Sequence, residues 1–407
     1  MSNIYYGFND RCRAGYSGVI PKDIRAVVGT STSPTSVSDV DVALGFDPLA
    51  VLPFGVIGLA DGPSTIVYNH FGAKADNTAS IACSSAHLAA TSATYRRHSA
   101  TKAVTVVGAS GSVVLESGVT LGTNKFTYNY SSILGVGTLQ NHIALGGSDL
   151  EVSLTQHQMN GTNADESFAH GLTGGAPTGV LFLSAILSGS PPITSTQGQT
   201  SIGAWSALSQ FCAATYSRDS VTTTTTRRVL KNTCVVTDLD ITGTQRDMAV
   251  DSVDATNVNV SYPVTSGSQW YFWMLAIRGA KCKVGTFDCN GSTDPLTISC
   301  TGITPKLFMP VMMLNGVGGI NTVANNAVIT IGASDGTNTV SCGVTDSNGV
   351  TTTNARRYQS SNSLVQYDIN GIQGFNSTVS FDGESVVVDP SLCSANNGQG
   401  AYIIIGA

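Results

Sequence analysis

The distribution of apolar and polar residues predicts many short β-strands. Stretches rich in Val, Ile, Thr, Tyr and Phe recur along the chain, and Gly, Asn, Asp and Ser separate them. Residues 126–130 and 258–262 alternate between apolar and polar, which is typical of strands with one buried face. Residues 180–183 and 307–314 are almost continuously apolar, which predicts central strands covered on both faces. Pro310 lies inside the second of these runs and would require a bulge there.

Helical patterns are weak by comparison. Residues 20–25, 84–90 and 201–208 are each compatible with one or two helical turns. The dominant pattern is therefore that of an all-β protein of the sandwich or barrel type.

Four sequence blocks recur in the same order at a period of about 130 residues. The first block is a proline that opens an apolar run, and it occurs at Pro48, Pro177 and Pro305. The second block is Ser or Thr followed by Ile and two small residues, and it begins at Ser80, Ser201 and Thr330.

The third block is a pair of arginines, then an apolar strand, then a glycine turn. The arginine pairs are Arg96 with Arg97, Arg227 with Arg228, and Arg356 with Arg357. The turn glycines are Gly111, Gly243 and Gly371. The fourth block is a short apolar strand that ends in glycine, at residues 143–146, 275–279 and 403–406.

These blocks divide the chain into three copies, 25–147, 148–280 and 281–407, after an N-terminal arm of residues 1–24. A copy of this length can bury a core of its own. Its size and strand content fit a jelly-roll or lectin-like sandwich. We therefore expect an all-β protein of three tandem jelly-roll (lectin-like) β-sandwich domains.

Composition and charge exclude several classes of protein. Charged residues make up 11% of the chain, against about 25% in an ordinary soluble protein, and the net charge is −6. A nucleic-acid binder needs a basic surface, so we expect no nucleic-acid partner. No apolar run reaches about 18 residues, so we expect no membrane insertion. The first residues lack a signal-peptide pattern, which favours synthesis in a cytoplasm, and the 9 cysteines favour reduced, buried thiols.

Candidate chemical groups are few. The arginine pairs suit either an anion clamp or a structural role, and the structural role is favoured because all three copies carry them. Asp39 with Asp41 and Asp238 with Asp240 offer calcium-type oxygens, but their spacing is not that of a calcium loop. All 6 histidines lie in the first 170 residues. We predict no catalytic residues, no cofactor and no metal site.

Aromatic residues cluster before the closing strand of the second copy. Trp270 and Trp273 flank a Tyr-Phe pair there. The cluster could form a surface on which a sugar stacks, or it could pack in the core or between domains. Core packing is the favoured reading.

The order of the four blocks resembles that in bacteriophage virion structural proteins with tandem lectin-like jelly-roll repeats, of the tail-fibre or capsid-fibre type. The first copy departs from this pattern because no Asp precedes its Gly111 turn. The resemblance implies a lectin-like jelly roll that serves as a virion building block. It carries no catalytic motif.

The expected function is therefore a non-enzymatic structural component of a tailed-phage virion. A tail fibre, spike or appendage with host-surface glycan binding is the first hypothesis, and a capsid-surface decoration or head-fibre protein is the alternative. A glycan depolymerase is a third, less favoured hypothesis. We expect the arm to contact other virion proteins, and we expect a homo-oligomer, with a trimer favoured.

Overall fold

The structure is a computed structural model. It describes residues 22–57, 62–63, 66–75, 80–88, 93–108, 110–135, 137–207, 209–219, 223–265, 267, 269–313, 319–351, 355–395 and 397–407. Every statement below concerns these residues, and residues 1–21 of the predicted arm lie outside them.

The described chain consists of antiparallel strands, which confirms the all-β prediction of tandem β-sandwich modules. The strands of the first module are β1 (Arg25–Thr32), β2 (Asp39–Ala43), β3 (Pro48–Ile57), β5 (Ile66–Ala75), β6 (Ile81–Leu88), β7 (Thr94–Ser99), β8 (Val104–Val107), β9 (Val113–Gly122), β10 (Lys125–Ser132) and β11 (Leu139–Gly146). The strands of the second module are β12 (Glu151–Gln158), β13 (Glu166–Ala169), β14 (Gly179–Ser184), β16 (Gly198–Ser206), β17 (Ser209–Ser217), β18 (Thr226–Lys231), β19 (Val236–Leu239), β20 (Thr244–Val253), β21 (Asn257–Val264) and β22 (Tyr271–Arg278). The strands of the third module are β23 (Lys281–Asp288), β24 (Leu296–Ser299), β25 (Pro305–Met312), β27 (Ala327–Ser334), β28 (Thr339–Asp346), β29 (Arg356–Ser360), β30 (Leu364–Tyr367), β31 (Gln373–Asp382), β32 (Ser385–Cys393) and β33 (Gln399–Gly406).

Three further short strands leave the module to which they belong in sequence. They are β4 (Gly62–Pro63), β15 (Ile193–Thr196) and β26 (Ala324–Asn325). Strand β15 pairs with β7 of the first module, β26 with β18 of the second, and β4 with β29 of the third. Each module thus receives a strand from another module, and the exchange closes into a cycle.

Each module has two sheets. The larger sheets, here called inner sheets, are 7-stranded and have the orders β1-β11-β3-β5-β6-β7-β15, β12-β22-β14-β16-β17-β18-β26 and β23-β33-β25-β27-β28-β29-β4. The smaller, outer sheets are 4-stranded and have the orders β2-β10-β9-β8, β13-β21-β20-β19 and β24-β32-β31-β30. The matching orders show that the threefold sequence repeat is also a threefold structural repeat.

The inner sheets of all three modules pack against one another. One cluster of buried side chains includes Ile143 of the first module, Leu275 of the second and Ile403 of the third. We call this cluster the shared interior. The opposite face of each inner sheet packs on its outer sheet, and each module has a separate core there. A module therefore buries apolar surface on both faces of its inner sheet, one of them only through its neighbours.

The apolar patterns match these environments. Strands β10 and β21 alternate between buried and more exposed residues, as the sequence predicts. Strand β14 is buried throughout, and β25 is buried at all but one position, so both are confirmed as central strands. At Pro310 the pairing of β25 with β27 is interrupted between Phe308 and Val311, but the register is the same on both sides. The predicted bulge at Pro310 is therefore a gap in the ladder, because proline has no N–H to donate.

Two expectations from the sequence are wrong. Residues 84–88 and 201–206 belong to β6 and β16, because each segment pairs with strands on both sides. The second sequence block was also aligned with the wrong strand in the first module, since the sheet order places β5, and not β6, at the position of β16 and β27. Gly72 of β5 and Gly203 of β16 have the same surroundings, which supports the equivalence of these two strands. A Cβ at Gly72 would lie 1.8 Å, and a Cβ at Gly203 1.9 Å, from a main-chain oxygen of the segment that leads into the outer sheet.

The last residues of the predicted arm pack against the modules. The Lys22 Nζ donates a hydrogen bond to the carbonyl of Gly279 (2.6 Å), and the Asp23 N–H donates one to Asp149 Oδ2 (2.7 Å). Ile24 belongs to the shared interior. The described residues contain no helix with the length and hydrophobicity that a membrane span requires.

Candidate binding site

The arginine pairs lie at the boundaries between modules. Each pair is on the edge strand of an inner sheet that receives the exchanged strand, namely β7, β18 or β29. Arg96 lies opposite Ser195 of β15, Arg228 opposite Ala324 of β26, and Arg357 opposite Gly62 of β4. We call the boundary at β7–β15 the first seam, that at β18–β26 the second and that at β29–β4 the third.

The pairs are shifted by one residue between modules. Thr94 and Thr226 are equivalent, because each donates a side-chain hydrogen bond to a main-chain carbonyl of the next module (3.0 and 3.1 Å). Arg96 follows Thr94 by two residues, and Arg228 follows Thr226 by two. Arg96 therefore occupies the position of Arg228, whereas the spacing in the sequence had matched it with Arg227.

Arginines at two seams bind the exchanged strand directly. The Arg228 guanidinium donates hydrogen bonds to the carbonyls of Asn325 and, at 2.8 Å, Asn326. Arg97 donates to Thr194 Oγ1 (3.1 Å) and forms an ion pair with Glu116 (2.9 Å). At Arg228 and Arg97 the side chain therefore has a structural role, because it holds the exchanged strand against the edge of the inner sheet.

The other arginines of the pairs have different surroundings. Arg227 reaches the exchanged strand only through the Asn325 side chain, and it also donates a hydrogen bond to the carbonyl of Ile241 (3.1 Å). Arg356 lies beside Gly371, where an added Cβ would meet its guanidinium. Arg357 lies opposite Val344 in the inner sheet of the third module.

The prolines and the turn glycines of the repeated blocks lie at or near the ends of strands. Pro48 and Pro305 are the first residues of β3 and β25, and Pro177 lies two residues before β14. Gly111, Gly243 and Gly371 have φ values of +76°, +137° and +77°, which side-chain-bearing residues rarely adopt. The three glycines therefore suit the turns between neighbouring strands of the outer sheets.

The two tryptophans lie in the interior. Trp270 and Trp273 are each 1% exposed. Trp273 belongs to the shared interior and meets the His98 ring of the first module edge-on, with centroids 5.1 Å apart. Trp270 belongs to the outer core of the second module. The hypothesis of an exposed stacking surface at these residues is therefore corrected, because neither indole presents a face to solvent.

One residue from each module meets in a buried polar contact. His87, Ser217 and Asp346 occupy the same position on β6, β17 and β28. The His87 Nδ1 lies 3.0 Å from Asp346 Oδ2, and the Ser217 hydroxyl donates to the same oxygen at 2.9 Å. Three identical subunits would place three copies of one residue here, whereas a single chain can place three complementary ones.

A polar cleft of about 480 Å³ opens at the first seam. It lies between β7 of the first module and the β14–β16 connection and β19–β20 hairpin of the second. Its lining residues are Arg96, Ile186, Leu187, Ser188, Gly189, Ile193, Ser195, Gln197, Gln199, Asp238, Leu239, Asp240, Gln245, Gln269 and Trp270.

A chain of hydrogen bonds crosses the seam inside this cleft. The Arg96 guanidinium donates to Gln199 Oε1, and Gln199 Nε2 donates to Asp238 Oδ1 (2.9 Å) and to the carbonyl of Leu239 (3.0 Å). The Arg96 Nε is buried and has no hydrogen-bond partner among the described residues. The cleft therefore contains a cation that is partnered mainly by a neutral amide.

Burial changes the acid–base behaviour of these groups. It raises the pKa of Asp238 to about 6, although the Gln199 hydrogen bond and the Arg96 charge act in the opposite direction. It also lowers the pKa of Arg96 to about 10. For Asp240, burial acts to raise the pKa, but hydrogen bonds from Thr242 and Gly243 outweigh it and hold the value below its ordinary range.

The wall of the cleft is built from unusual backbone conformations. Ile186 has φ +51° and Gln197 has φ +69°. A positive φ is costly for a β-branched residue such as Ile, and conformations of this kind cluster at functional sites. Asn326 has φ +68° at the corresponding corner of the second seam, so the turn at Gln197 belongs to the strand exchange.

Other candidate groups have local structural partners. Asp41 accepts hydrogen bonds from Lys125 and Thr127, both at 2.6 Å, and Asp240 caps its own turn. In the described part of the chain, no group of three or more His, Cys, Asp or Glu could hold a metal ion. The described cysteines are free, and all except Cys282 are buried.

Comparison with protein-family models, with curated proteins and with solved structures gives no match.

Several residues of the cleft escaped the sequence analysis. Gln199 and Gln245 have no distinctive sequence context, and residues 188–197 belong to no repeated block. The sequence presents Asp238 and Asp240 only as a calcium-type pair. Only Arg96 is marked by the sequence, because it belongs to a repeated arginine pair. Its partners belong to another module, so the residue spacing within one copy does not reveal them.

Proposed function

We propose that the chain is a non-enzymatic structural component of a tailed-phage virion, a tail fibre, spike or appendage that meets glycans on the host surface. The observation that supports it best is the closed exchange of strands among three sandwich modules. An exposed fibre or spike needs a body that resists local opening. In this body, each inner sheet has a neighbouring module's strand on one edge.

The shared interior adds to this support. Its residues come from all three modules, so separation of any module would expose apolar surface. The low content of charged residues, 11%, suits broad contacts with neighbouring virion proteins. We propose that residues 1–21 supply the attachment to the particle, because residues 22–24 are already packed on the modules.

A capsid-surface decoration or head-fibre protein is a second candidate. The specific observation in its favour is the threefold arrangement of the modules within one chain, which would match a threefold position on a capsid. The same arrangement offers an alternative to the homotrimer, since one chain already presents three modules. Light scattering distinguishes a particle of 42.0 kDa from one of three times that mass.

Immunogold electron microscopy of gradient-purified particles from the phage that encodes the chain tests the proposal. We expect gold on the tails, and gold on the heads would select the decoration candidate. If immunoblots find no chain in purified particles, the virion proposal is wrong. A deletion of residues 1–21 is expected to leave a folded protein that no longer joins the particle.

A further inference from the structure

We propose that the cleft at the first seam binds a neutral sugar residue of mono- or disaccharide size. This deepens the proposed function, because it gives glycan binding a place in the molecule and a ligand class. It rests on that function only for the biological source of the sugar.

The size and lining of the cleft fit such a ligand. Its volume of about 480 Å³ is within the range of about 300–1,000 Å³ that is usual for small-ligand sites. Leu187 and Ile193 supply apolar surface, and Gln197 and Gln245 supply amides. A sugar has both apolar C–H faces and hydroxyl groups, so it requires this mixture.

Two side chains that line the cleft, Arg96 and Trp270, each have a buried N–H without a partner in the described part of the chain. The Arg96 Nε and the Trp270 Nε1 are buried N–H groups with no hydrogen-bond partner among the described residues. A buried donor without a partner costs about 1–3 kcal/mol, so a small shift of either side chain that brings its N–H to a ligand hydroxyl would recover free energy. Guanidinium, carboxylate and amide groups are planar and can each contact two neighbouring hydroxyls.

The charge of the cleft favours a neutral ligand. One guanidinium, that of Arg96, faces the two carboxyl groups of Asp238 and Asp240. A carboxylated or phosphorylated sugar would add a further negative charge next to two carboxyls, and the repulsion between these charges would oppose its binding. A neutral sugar can donate hydroxyl hydrogens to the carboxylates and accept hydrogens from the guanidinium.

The corresponding position at the second seam lacks these groups. Val328 takes the place of Gln199, and Gln366 that of Asp238, in the equivalent strands. Arg228, at the position of Arg96, donates to main-chain carbonyls of the exchanged strand. The amide of Gln199 and the carboxyl of Asp238 are therefore present at the first seam and have no counterpart at the equivalent positions of the second.

Saturation-transfer NMR on the full chain tests the proposal directly. The probes are the methyl glycosides of glucose, galactose, mannose and N-acetylglucosamine at millimolar concentration, with glucuronic acid as the charged comparison. We expect transfer to at least one neutral glycoside and less to glucuronic acid. Arg96→Met should weaken the binding about tenfold, which corresponds to the loss of a hydrogen bond to a charged group.

Two further variants keep the test decisive. Gln245→Ala removes a second lining side chain without touching the bond between Arg96 and Gln199, and it should also weaken binding. Lys125→Met removes a positive charge from the outer sheet of the first module, where Lys125 pairs with Asp41, and it should leave binding unchanged. Circular dichroism confirms that each variant is folded.

The proposal is wrong if none of the four glycosides binds, or if Arg96→Met and Gln245→Ala bind as well as the unmodified chain. These outcomes are independent of particle location. A chain that binds sugar but is absent from virions would overturn the proposed function and leave this inference standing.

Discussion

Arg96 and Arg228 occupy the same position at two seams of the molecule, and their contacts differ. Arg228 donates to the carbonyls of Asn325 and Asn326 and so holds the exchanged strand. Arg96 donates to the side chain of Gln199, and its Nε has no partner in the described part of the chain. Two equivalent positions of the repeat thus have the same residue type, while the role of that residue changes with the neighbouring module.

The packing around the two seams differs in the same way. At the first seam, Trp273 of the second module packs edge-on against His98 of the first. The pairing of the strands places Ala401 of the third module at the position of Trp273, and Leu230 at the position of His98. The first seam therefore combines a large aromatic ring with a titratable group, whereas the second is smaller and apolar.

The largest expected effect comes from the substitution Trp273→Ala, which gives the first seam the residue found at the second. The indole is buried in the shared interior, so its removal should lower the free energy of unfolding by about 3–5 kcal/mol. Chemical denaturation with circular dichroism measures this. A loss below about 1 kcal/mol would mean that Trp273 does not fill space between the modules.

A smaller effect is expected from Arg228→Met. Two main-chain carbonyls lose their donor, and the free energy of unfolding should fall by about 2–3 kcal/mol. Arg96→Met is the matched control. It should cost about 1 kcal/mol or less, because Arg96 has one short hydrogen bond, to the Gln199 side chain, and that amide keeps its own bonds to Asp238 and to the carbonyl of Leu239. Equal losses in the two variants would contradict the distinction between the seams.

The smallest effect concerns pH. Burial lowers the pKa of His98 to about 4, the bond to the Gly189 carbonyl acts against it, and the charges of Arg96 and Arg97 add to it. Between pH 6.5 and 4 the unfolded chain therefore binds more protons at this residue than the folded chain, and stability falls as the pH falls. His98 alone should cost about 1.4 kcal/mol at one pH unit below 6.5.

The substitution His98→Leu reproduces the residue of the second seam and isolates this contribution. Burial also lowers the pKa of His70 to about 3 and that of His142 to about 4, and both remain in the variant as a constant background. The difference in unfolding free energy between the two proteins should change in favour of the variant as the pH falls from 6.5 to 5.5. Parallel stability curves over this range would show that His98 does not titrate as inferred.

The sequence predicts the strands and the threefold repeat well, because both depend on local patterns. Alternation in 126–130 and the continuous run at 180–183 identify buried faces directly. The strand exchange could not be predicted, because the exchanged strands β4 and β26 each have only two residues and lie in connections without an apolar pattern. Their position depends on neighbouring modules, and no spacing within one copy reports on it.

The candidate site was less accessible to sequence reasoning than the fold. The arginine pairs were identified, but their common spacing matched Arg96 with Arg227, one residue away from the position set by the sheet register. The aromatic cluster at Trp270 and Trp273 was compatible with a sugar-stacking surface or, as favoured, with packing in the core, and only the structure shows that both residues are buried. A cleft formed between modules requires knowledge of how the modules pack.

Scanning calorimetry of the full chain tests most directly the central claim, that strand exchange and a shared interior join the three modules into one body. We predict one unfolding transition, with a van 't Hoff enthalpy equal to the calorimetric enthalpy of the whole chain. Separate transitions, or a van 't Hoff enthalpy of about one third of the calorimetric value, would show three independently folding modules and would contradict the account.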